Sequence, residues 1–472
     1  MRTPRPRPDP AAILAALVVS VTFLAAPSCS PVRGNRANIL LVTFETTRAD
    51  HLSAYGYPRD TSPSFDRAAS QGVLFEHHST VSPRTNPSLA ALFTSTYPHE
   101  NGVRNLLLPL EPENRTLAEI LRAAGYATGA VQTHPRLVKT SGLAQGFADY
   151  DDDVAAHPLA DQACAKAADW VRDASRGSRP WFLWIHLMDP HWTYEPPEPW
   201  RTRYAADDPR TRAVYEELLA RRLTIGPIIF QNAMPRDEVA SFVGLHDGEL
   251  RFTDDALGGL LRSLRELGIE RETLVVVTAD HGESLGEHHY FFEHGDLGSE
   301  PEVHIPLLFR WPGTLPEGRR VSSTVRSIDV APTLLDLAGL PAEPAFRGQT
   351  LRGYLDGTEA ADRACFGETD MSFHEENFAR EILGVAGKSR WLRQGRFKLI
   401  FVPHLAKPSE WRLFDLVSDP GELDEAGARF PEVRDALRRE LGAWMAEDTG
   451  EKRDYHIGEE AREQLRSLGY LN

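Results

Sequence analysis

Three continuous apolar runs, each followed by polar residues, constrain the fold of this chain more than any other feature of its sequence. They cover residues 37–44, 181–187 and 273–279. Runs of this length without polar alternation predict strands that are buried on both faces of a parallel sheet. Open α/β sheets bind their ligands beyond the carboxyl ends of such strands. The runs therefore predict an α/β fold with a functional site where these three strands end.

Amphipathic stretches between the apolar runs complete an alternation of strands and helices. One covers residues 116–124, with Thr116 as a cap at its start and Gly125 at its stop. A longer one covers residues 238–267 and shows helical apolar periodicity. Residues 329–340 predict the last helix of a large domain. This alternation supports the α/β prediction.

The pattern changes after the last of these helices. Short β-like segments at residues 398–401 and 411–416 precede a helical stretch at 431–447. We therefore predict a catalytic domain over residues 36–344 and a small α+β domain over residues 345–472.

The first 29 residues differ from the rest of the chain and predict a secretory signal. Three arginines precede an apolar run over residues 11–27, which is the order that such signals require. A membrane span needs about 20 apolar residues, so this shorter run favours a cleaved signal over a retained helix. Cys29 lies where a lipoprotein signal would place its acylated cysteine, and a cysteine in a discarded peptide is the equal alternative. The chain is predicted to be exported to the periplasm or the cell surface, with a lipid anchor left open.

Composition restricts the partners of the chain. The formal net charge is −16, which argues against nucleic acid because that partner requires a basic surface. An anionic substrate must then be captured by a local positive site, such as a metal ion. Cys164 and Cys365 remain after signal cleavage and could pair in an oxidising compartment, which their separation in sequence leaves open.

Two segments carry residues suited to catalysis. Glu45 follows the first apolar run and offers an oxygen ligand to a divalent cation, although an ordinary strand-end acid is the alternative for this residue alone. Thr85 begins a predicted helix with Pro87 in its first turn, where free N–H groups and the helix dipole favour an anion. A hydroxyl that touches a metal there can lose its proton and attack. The alternative for Thr85 is a plain helix N-cap.

A third segment follows the last apolar run. Asp280 and His281 are adjacent and could bind one ion between them. His288, His289 and His294 follow in a loop whose composition indicates contact with a metal or a phosphate. A solvated surface is an equal alternative for any one of these three histidines.

These segments together resemble the sulfatase family of the alkaline phosphatase superfamily over nearly the whole mature chain. The matching blocks are P-S-x-A-x-L-x-T-x-x-Y-P-H-x-x-G-V from Pro87, D-H-G-E from Asp280, I-P-L-L-F-R-W-P-G from Ile305, D-V-A-P-T-L-L-D-L-A-G-L-P from Asp329 and L-F-D-L-V-S-D-P-G-E from Leu413. The resemblance implies a large mixed, mostly parallel sheet sandwiched by helices, with a small C-terminal α+β domain. It also implies one divalent metal ion (Ca, Mn or Zn).

By the same resemblance, Glu45, Asp280 and His281 occupy positions of metal ligands, and His134 is a retained substrate contact. The family converts the first residue of C-x-P-x-R or S-x-P-x-R to formylglycine. That residue is Thr85 here, so no formylglycine is expected.

Other departures also concern the centre of the site. Leu89 stands at the arginine position of the motif, Gln132 at the position of a sulfate-binding lysine, and Thr46 in the second position of an aspartate pair. A Glu, a Thr nucleophile and an Asp-His pair instead resemble the single-metal site of the lipoteichoic acid synthases and phosphoethanolamine transferases. Those enzymes transfer phospho groups through a phosphothreonine intermediate.

The sequence therefore predicts a metal-dependent hydrolase of a sulfuric or phosphoric ester in which Thr85 is both a metal ligand and the nucleophile. Candidate catalytic histidines are His294, His191 and His186, with structural hydrogen bonding as the alternative. Candidate substrate-binding residues are His134, His288 and His289. The anionic substrate would be a sulfated glycan or a phospholipid-type molecule. Two alternatives stay open: a phosphodiesterase or phosphotransferase acting through phosphothreonine, and a catalytically silent sulfatase-like protein that binds an anionic glycan or lipid.

Overall fold

The structure is a computed structural model that describes Met1 and residues 36–153, 159–205, 236–370, 372–374, 379–381, 387–404 and 407–448. Apart from Met1, the predicted signal segment with its candidate acylation site Cys29 lies outside the described residues. Within the described ranges, no helix combines the length and the apolar character that crossing a bilayer requires.

The strands in the described part of the chain are β1 Asn38–Phe44, β2 Val73–Ser79, β3 Ala127–Gln132, β4 Asp149–Asp151, β5 Trp181–Leu187, β6 Thr273–Ala279, β7 Ser284–Leu285, β8 Phe291–Glu293, β9 His304–Arg310, β10 Arg319–Arg326, β11 Cys365–Glu368, β12 Ser372–His374, β13 Ala379–Glu381, β14 Arg390–Gln394, β15 Phe397–Val402 and β16 Glu410–Asp415. The α-helices there are α1 Pro63–Ser70, α2 Thr85–Thr94, α3 Pro98–Asn101, α4 Leu117–Ala123, α5 Ala160–Ala174, α6 Trp200–Tyr204, α7 Arg236–Glu266, α8 Glu300–Val303, α9 Val330–Leu337, α10 Arg352–Asp356 and α11 Pro431–Ala446. Short 3-10 helices cover Ala49–His51, Ser53–Tyr55, Lys139–Ser141, Glu270–Glu272, Glu287–His289 and Ser327–Asp329.

The central sheet has eight strands in the order β10-β2-β9-β6-β1-β5-β3-β4. β1 is parallel to both of its neighbours, β5 and β6, whereas β9 is antiparallel to β2 and β6. The predicted mixed, mostly parallel sheet is therefore confirmed. The three apolar runs form the adjacent strands β6, β1 and β5, so their carboxyl ends meet at one edge of the sheet.

Alternate residues of β1 reach two separate hydrophobic cores. Ile39 and Leu41 pack in one core with Leu89 of α2, and Leu40 and Val42 pack in the other, which includes residues of α5 and α7. Successive side chains of a strand point to opposite faces of the sheet. An unbroken apolar run therefore needs helices on both faces, and burying each leucine or valine contributes about 1.5–3 kcal/mol.

The predicted helices form close to their expected bounds. α4 begins after Thr116, whose hydroxyl accepts the Glu119 N–H at 3.2 Å while the Glu119 carboxylate accepts the Thr116 N–H at 2.9 Å. This capping box explains the sharp start of the helix. α9 ends at Leu337, earlier than predicted, because the chain turns at Gly339 with φ +67°.

The C-terminal part forms an antiparallel sheet in the order β11-β14-β15-β16, with α11 packed on β14 and β15. The predicted segments at residues 398–401 and 411–416 lie in β15 and largely in β16. Leu399 and Leu441 of this part share one hydrophobic core with Val81 and Tyr97 of the large domain. The small domain is therefore present and packs on the large one, while its boundary near residue 345 stays a prediction.

The two described cysteines lie in different parts of the fold. Cys164 is on α5 in the core beside the central sheet, and Cys365 is on β11 of the C-terminal sheet. Both are buried free thiols, so the pairing that the sequence left open is absent from the described structure.

Candidate active site

Glu45 and Asp280 follow the adjacent parallel strands β1 and β6. The backbone pairing of the strands continues to both acids, because the Glu45 N–H donates to the Leu187 carbonyl at 2.9 Å and the Asp280 N–H donates to the Phe44 carbonyl at 3.1 Å. Both side chains are fully buried. The sheet thus brings two residues that are far apart in sequence to one edge and fixes their separation.

Thr85, Glu45, Asp280 and His281 form a compact group that we call the four-residue cluster. The Thr85 hydroxyl donates to Glu45 Oε1 at 2.8 Å. His281 Nε2 lies 3.2 Å from the same Glu45 oxygen, 3.3 Å from Asp280 Oδ2 and 3.4 Å from Thr85 Oγ1. Each of the four residues is at most 1% exposed.

Thr85 is the first residue of α2 and is not its N-cap. Arg84 occupies the cap position, and the Thr85 hydroxyl faces Glu45 instead of a backbone N–H. The N-cap alternative for Thr85 is therefore wrong. One turn along the helix, the Ser88 hydroxyl donates to the Asp280 carbonyl at 2.6 Å, which joins the start of α2 to the end of β6.

The cluster has the donor atoms that a divalent cation requires. Asp280 Oδ1 accepts the backbone N–H groups of Thr46 and His281, whereas Asp280 Oδ2 is buried with no hydrogen-bond partner among the described residues. His281 Nδ1–H donates to the Gly282 carbonyl at 2.9 Å, so Nε2 is the ring nitrogen that faces the two carboxylates. A cation that displaced the proton from Nε2 would give His281 the usual arrangement of a metal-binding histidine. Two carboxylates, an imidazole nitrogen and a hydroxyl in one buried space fit such an ion.

The ionisation of the cluster residues also favours a bound cation. Burial alone would raise the pKa of Glu45, but His134 and hydrogen bonds from His186 and His281 hold that pKa well below its usual value. Burial and the neighbouring Glu45 raise the pKa of Asp280 well above its usual value. Burial would lower the pKa of His281, but Asp280 and Glu45 raise it to about 9. Two adjacent buried carboxylates repel each other, and a cation between them would relieve this repulsion.

His186 orients Glu45. Its Nε2–H donates to Glu45 Oε2 at 2.7 Å, and its Nδ1 lies 2.8 Å from the Thr43 hydroxyl. Both ring nitrogens of His186 therefore make hydrogen bonds, one to Thr43 of β1 and one to Glu45, which directly follows β1. His186 therefore supports a cluster carboxylate from the next strand of the sheet.

His134 and His191 lie next to Glu45 but differ in their available ring nitrogen. His134 Nδ1 accepts the Arg136 N–H at 3.1 Å, so its neutral ring carries the proton on Nε2. Burial lowers the pKa of His134 to about 3. His191 Nδ1 donates to the Trp192 carbonyl, and its buried Nε2 has no hydrogen-bond partner among the described residues. His134 can thus donate to an anion, and His191 can accept a proton or a bond.

His294 lies beside His281 and His191. Its ring centroid is 4.3 Å from that of His281 and 5.7 Å from that of His191. A hydrogen bond of 3.2 Å joins His294 Nδ1 to Glu283 Oε1, and the Tyr194 hydroxyl donates to Glu283 Oε2. Burial raises the pKa of Glu283 to about 8 and lowers that of His294 well below its usual value.

His288 and His289 line a different space. They face a cavity of about 630 Å³ together with residues of the C-terminal sheet, including Ile400, Arg412 and Phe414. None of the described residues that line this cavity belongs to the four-residue cluster. The predicted contact of His288 and His289 with the substrate stays a prediction.

A second group of potential ligands fits a cation less well. His51, His246 and Asp247 have ligand atoms within 4.8 Å of one another. Asp247 Oδ2 already accepts hydrogen bonds of 2.7 Å from the Tyr57 hydroxyl and from the Arg59 guanidinium. A cation there would compete with a neighbouring positive charge, so this group is better explained as a hydrogen-bonding centre.

Sequence reasoning gave no role to several residues that the site uses. Glu283 is part of the D-H-G-E block, but Tyr194 precedes it by 89 positions, and no local pattern links the two. The buried Arg84 guanidinium donates to the His294 carbonyl at 2.6 Å. The position of Arg84 directly before Thr85 was the available signal for this residue.

Two protein-family models match this chain. The Sulfatase family model matches residues 37–340, and the model of the N-sulphoglucosamine sulphohydrolase C-terminal region matches residues 286–447. The chain belongs to the sulfatase family. The family and the hydrolase class predicted from the sequence are thereby confirmed.

Individual relatives cover most of the chain. Arylsulfatase K of Bos taurus is 26% identical over 477 aligned residues, which cover 90% of this chain and 86% of the relative. The crystal structure of the phosphonate monoester hydrolase of Agrobacterium radiobacter has a TM-score of 0.69 at 24% identity and covers 88% of this chain and 96% of its own. A structure in complex with its substrate D-glucosamine-2-N,6-O-disulfate has a TM-score of 0.70 at 19% identity and covers 89% of this chain and 100% of its own. These two structural likenesses show the fold.

Proposed function

We propose that this chain is a metal-dependent hydrolase of an anionic sulfuric or phosphoric ester and that Thr85 is its nucleophile. The observation that carries this proposal is the contact of the Thr85 hydroxyl with Glu45 at 2.8 Å, beside His281 Nε2 at 3.4 Å. A hydroxyl at the start of a helix, among metal-type ligands, is placed to attack an anion that the helix terminus attracts.

The cluster would hold the cation through Glu45, Asp280 and His281, with Thr85 as a further ligand. When bound, a divalent ion supplies Lewis acidity that lowers the pKa of a coordinated hydroxyl. The chain itself contributes the orientation of the ligands, through His186 on Glu45 and Gly282 on His281.

The reaction would proceed by in-line displacement. The Thr85 hydroxyl loses its proton to water, Thr85 Oγ1 attacks the sulfur or phosphorus, the bond to the leaving oxygen breaks, and the leaving oxygen takes up a proton from water. Free N–H groups at the start of α2 and the Nε2–H of His134 would donate to the non-bridging oxygens as charge develops on them. Water then cleaves the Thr85 ester and restores the hydroxyl.

The charge of the site favours an ester with a single negative charge. Gln132 and Leu89 are uncharged where the family resemblance implies basic residues, and both are buried. A sulfate monoester or a phosphodiester carries one charge at neutral pH, whereas a phosphate monoester carries up to two. We therefore expect sulfate monoesters and phosphodiesters to be better substrates than phosphate monoesters.

The second candidate function is a phosphodiesterase or phosphotransferase acting through phosphothreonine. It is favoured by the threonine and by the Glu, Asp and His around it.

A sulfated glycan is the proposed natural substrate class, and export is the proposed location. One structure of the same fold was solved with a disulfated glucosamine, which supports a sulfated sugar as the ligand. The signal-like N-terminus, with its candidate anchor Cys29, supports a site of action outside the cytoplasm.

The experiment compares Thr85→Ala with the wild-type chain on an aryl sulfate, an aryl phosphodiester and an aryl phosphate. We expect kcat/KM to fall by about a thousandfold or more, because removing a nucleophile removes the covalent route. The adduct should be found on the Thr85 peptide by mass spectrometry after rapid quenching.

Thr94→Ala is the matched control, since Thr94 is a buried residue at the other end of α2 whose hydroxyl donates to the Ala90 carbonyl. It should leave kcat/KM within about twofold. Full activity in Thr85→Ala would refute the nucleophile assignment. An absence of hydrolysis with every metal and ester in the wild-type chain would support the silent binding protein instead.

A further inference from the structure

We propose that Glu283 is a positioning residue of this site, which holds the His294 ring by its Nδ1 and is itself held by Tyr194. This inference rests on the proposed function in one respect, namely that His294 contacts the bound ester. It assigns to Glu283 and Tyr194 a role in orienting that histidine.

His294 lies against the four-residue cluster. Its ring packs against the ring of His281 with centroids 4.3 Å apart, and the residue is 1% exposed. His281 Nε2 in turn lies 3.4 Å from the Thr85 hydroxyl. The His294 ring therefore borders the space in which an ester attacked by Thr85 would lie.

Glu283 constrains the orientation of the His294 ring. A hydrogen bond of 3.2 Å joins His294 Nδ1 and Glu283 Oε1, and both residues are buried. An imidazole has two ring nitrogens, and Glu283 takes Nδ1. Any contact between His294 and a bound ester is then made through Nε2. The same bond forms whether Glu283 accepts or donates the proton, so the positioning does not depend on the charge of the pair.

Tyr194 in turn holds the Glu283 carboxylate. The Tyr194 hydroxyl donates to Glu283 Oε2, so both carboxylate oxygens are engaged and the group cannot rotate. The Tyr194 ring packs edge to face on Trp192 and Phe292, with centroids 5.4 and 6.0 Å apart. The hydrogen-bonded chain from Tyr194 through Glu283 to His294 thus starts in an apolar cluster and ends at the active site.

The loop that carries His294 has hydrogen bonds of its own. The backbone around His294 is held independently of Glu283, because the His294 carbonyl accepts the Arg84 guanidinium at 2.6 Å and the Gly295 N–H donates to Glu302 at 2.8 Å. Removing the Glu283 carboxylate should therefore release the His294 ring while the loop stays in place. The expected effect is on kcat, and the fold should persist.

The test uses the full-length mature protein loaded with a divalent metal, with the best aryl ester of the preceding series as probe. In Glu283→Ala we expect kcat to fall 10–100-fold, as for other residues that orient an active-site histidine, with KM within about twofold and an unchanged metal content. Glu283→Gln should recover at least about fivefold over Glu283→Ala, because an amide can still bond to Nδ1. Tyr194→Phe removes only the hydroxyl and should lower kcat by less than Glu283→Ala.

A variant that combines Glu283→Ala with His294→Ala tests whether Glu283 acts on kcat through His294. If Glu283 acts through His294, adding Glu283→Ala to His294→Ala should lower kcat by no more than about twofold beyond His294→Ala alone. A further tenfold loss, loss of the metal, or wild-type kcat in Glu283→Ala would each overturn the proposal. Asp254→Asn is the matched control, since this buried carboxylate accepts the Ser64 and Phe65 N–H groups at the start of α1 and should alter stability with little effect on kcat.

The outcomes also separate this inference from the proposed function. Full activity in Thr85→Ala refutes the nucleophile, and full activity in His294→Ala refutes the contact of that histidine with the ester. If Thr85→Ala and His294→Ala are both inactive while Glu283→Ala is fully active, the proposed function stands and only the positioning role of Glu283 is wrong.

Discussion

Gln132 is a buried amide at the end of β3 whose side-chain oxygen and nitrogen have no hydrogen-bond partner among the described residues. Leaving such groups unpaired costs about 1–3 kcal/mol. In β3 it stands beside His186 of β5, which places it at the edge of the sheet that carries the cluster. An amide kept unpaired at this edge is best explained if it contacts the substrate.

Gln132→Leu should therefore separate stability from binding. We expect the free energy of unfolding to rise by about 1 kcal/mol, because an unpaired polar group is replaced by an apolar one of similar size. We expect KM to rise several-fold, because a donor to the ester is lost. Chemical denaturation and steady-state kinetics measure the two effects. A stability loss with unchanged KM would show that Gln132 has only a structural role.

Individual site residues differ in how far sequence could predict them. Glu45 and Asp280 could be predicted because each directly follows an apolar strand, and strand ends converge in a parallel sheet. Thr85 could be predicted from the helix that Pro87 starts. The pairing of Tyr194 with Glu283 could not, because it depends on a tertiary contact that leaves no periodic pattern in the sequence.

The loop between β8 and α8 contains a glycine that its conformation requires. Gly295 has φ +102°, and a Cβ at this position would lie 2.2 Å from Arg84 Nη2. The absent side chain lets the buried guanidinium reach the His294 carbonyl. The backbone conformation and the close approach both require glycine here. This loop therefore connects the residue before the proposed nucleophile with the proposed catalytic histidine.

Gly295→Ala tests this connection. The positive φ alone should cost about 1–3 kcal/mol of unfolding free energy, and displacement of Arg84 should add to that and lower kcat. Gly125→Ala is the matched control, because Gly125 has φ +93° and a Cβ at this position would have no described atom within 4 Å. The control should lose stability and keep its kcat. Equal kcat values in the two variants would contradict the connection.

At the level of elements, local signals predicted helices better than strand direction. The start of α4 follows from the Thr116 capping box, and β1, β5 and β6 follow from their apolar runs. The antiparallel course of β9 within the central sheet could not be predicted, because the run around Ile305 to Phe309 has the same apolar character in either direction. Strand order and direction depend on long-range packing.

For the whole molecule, cation binding at the cluster would be coupled to folding. The proposed ligands lie directly after β1, at the start of α2 and directly after β6, and these positions are far apart in the unfolded chain. A cation that binds only the folded state stabilises it by about 2.7 kcal/mol at a concentration 100-fold above its Kd. Because acidic residues outnumber basic residues across the chain, an anionic substrate would need a local positive charge such as this cation to capture it.

The stabilisation by a cation should depend on pH. Without a cation, burial and Glu45 raise the pKa of Asp280, so the folded chain holds this proton more tightly than the unfolded chain. That contribution to stability is complete below the usual aspartate pKa of about 3.9 and is lost as the pH rises through the raised value. A cation replaces the proton, so its effect on Tm should increase with pH. An effect that decreases as the pH rises would contradict this.

The most direct test of the central claim is the number of divalent cations that the purified mature chain binds, measured by equilibrium dialysis with metal analysis on the wild type and on Asp280→Ala. We predict one tightly bound cation per chain in the wild type and its loss in the variant, together with a lower Tm after chelation of the wild type only. A wild-type chain that binds no cation, or a variant that binds it as tightly, would contradict the claim that this sheet edge holds a metal against Thr85.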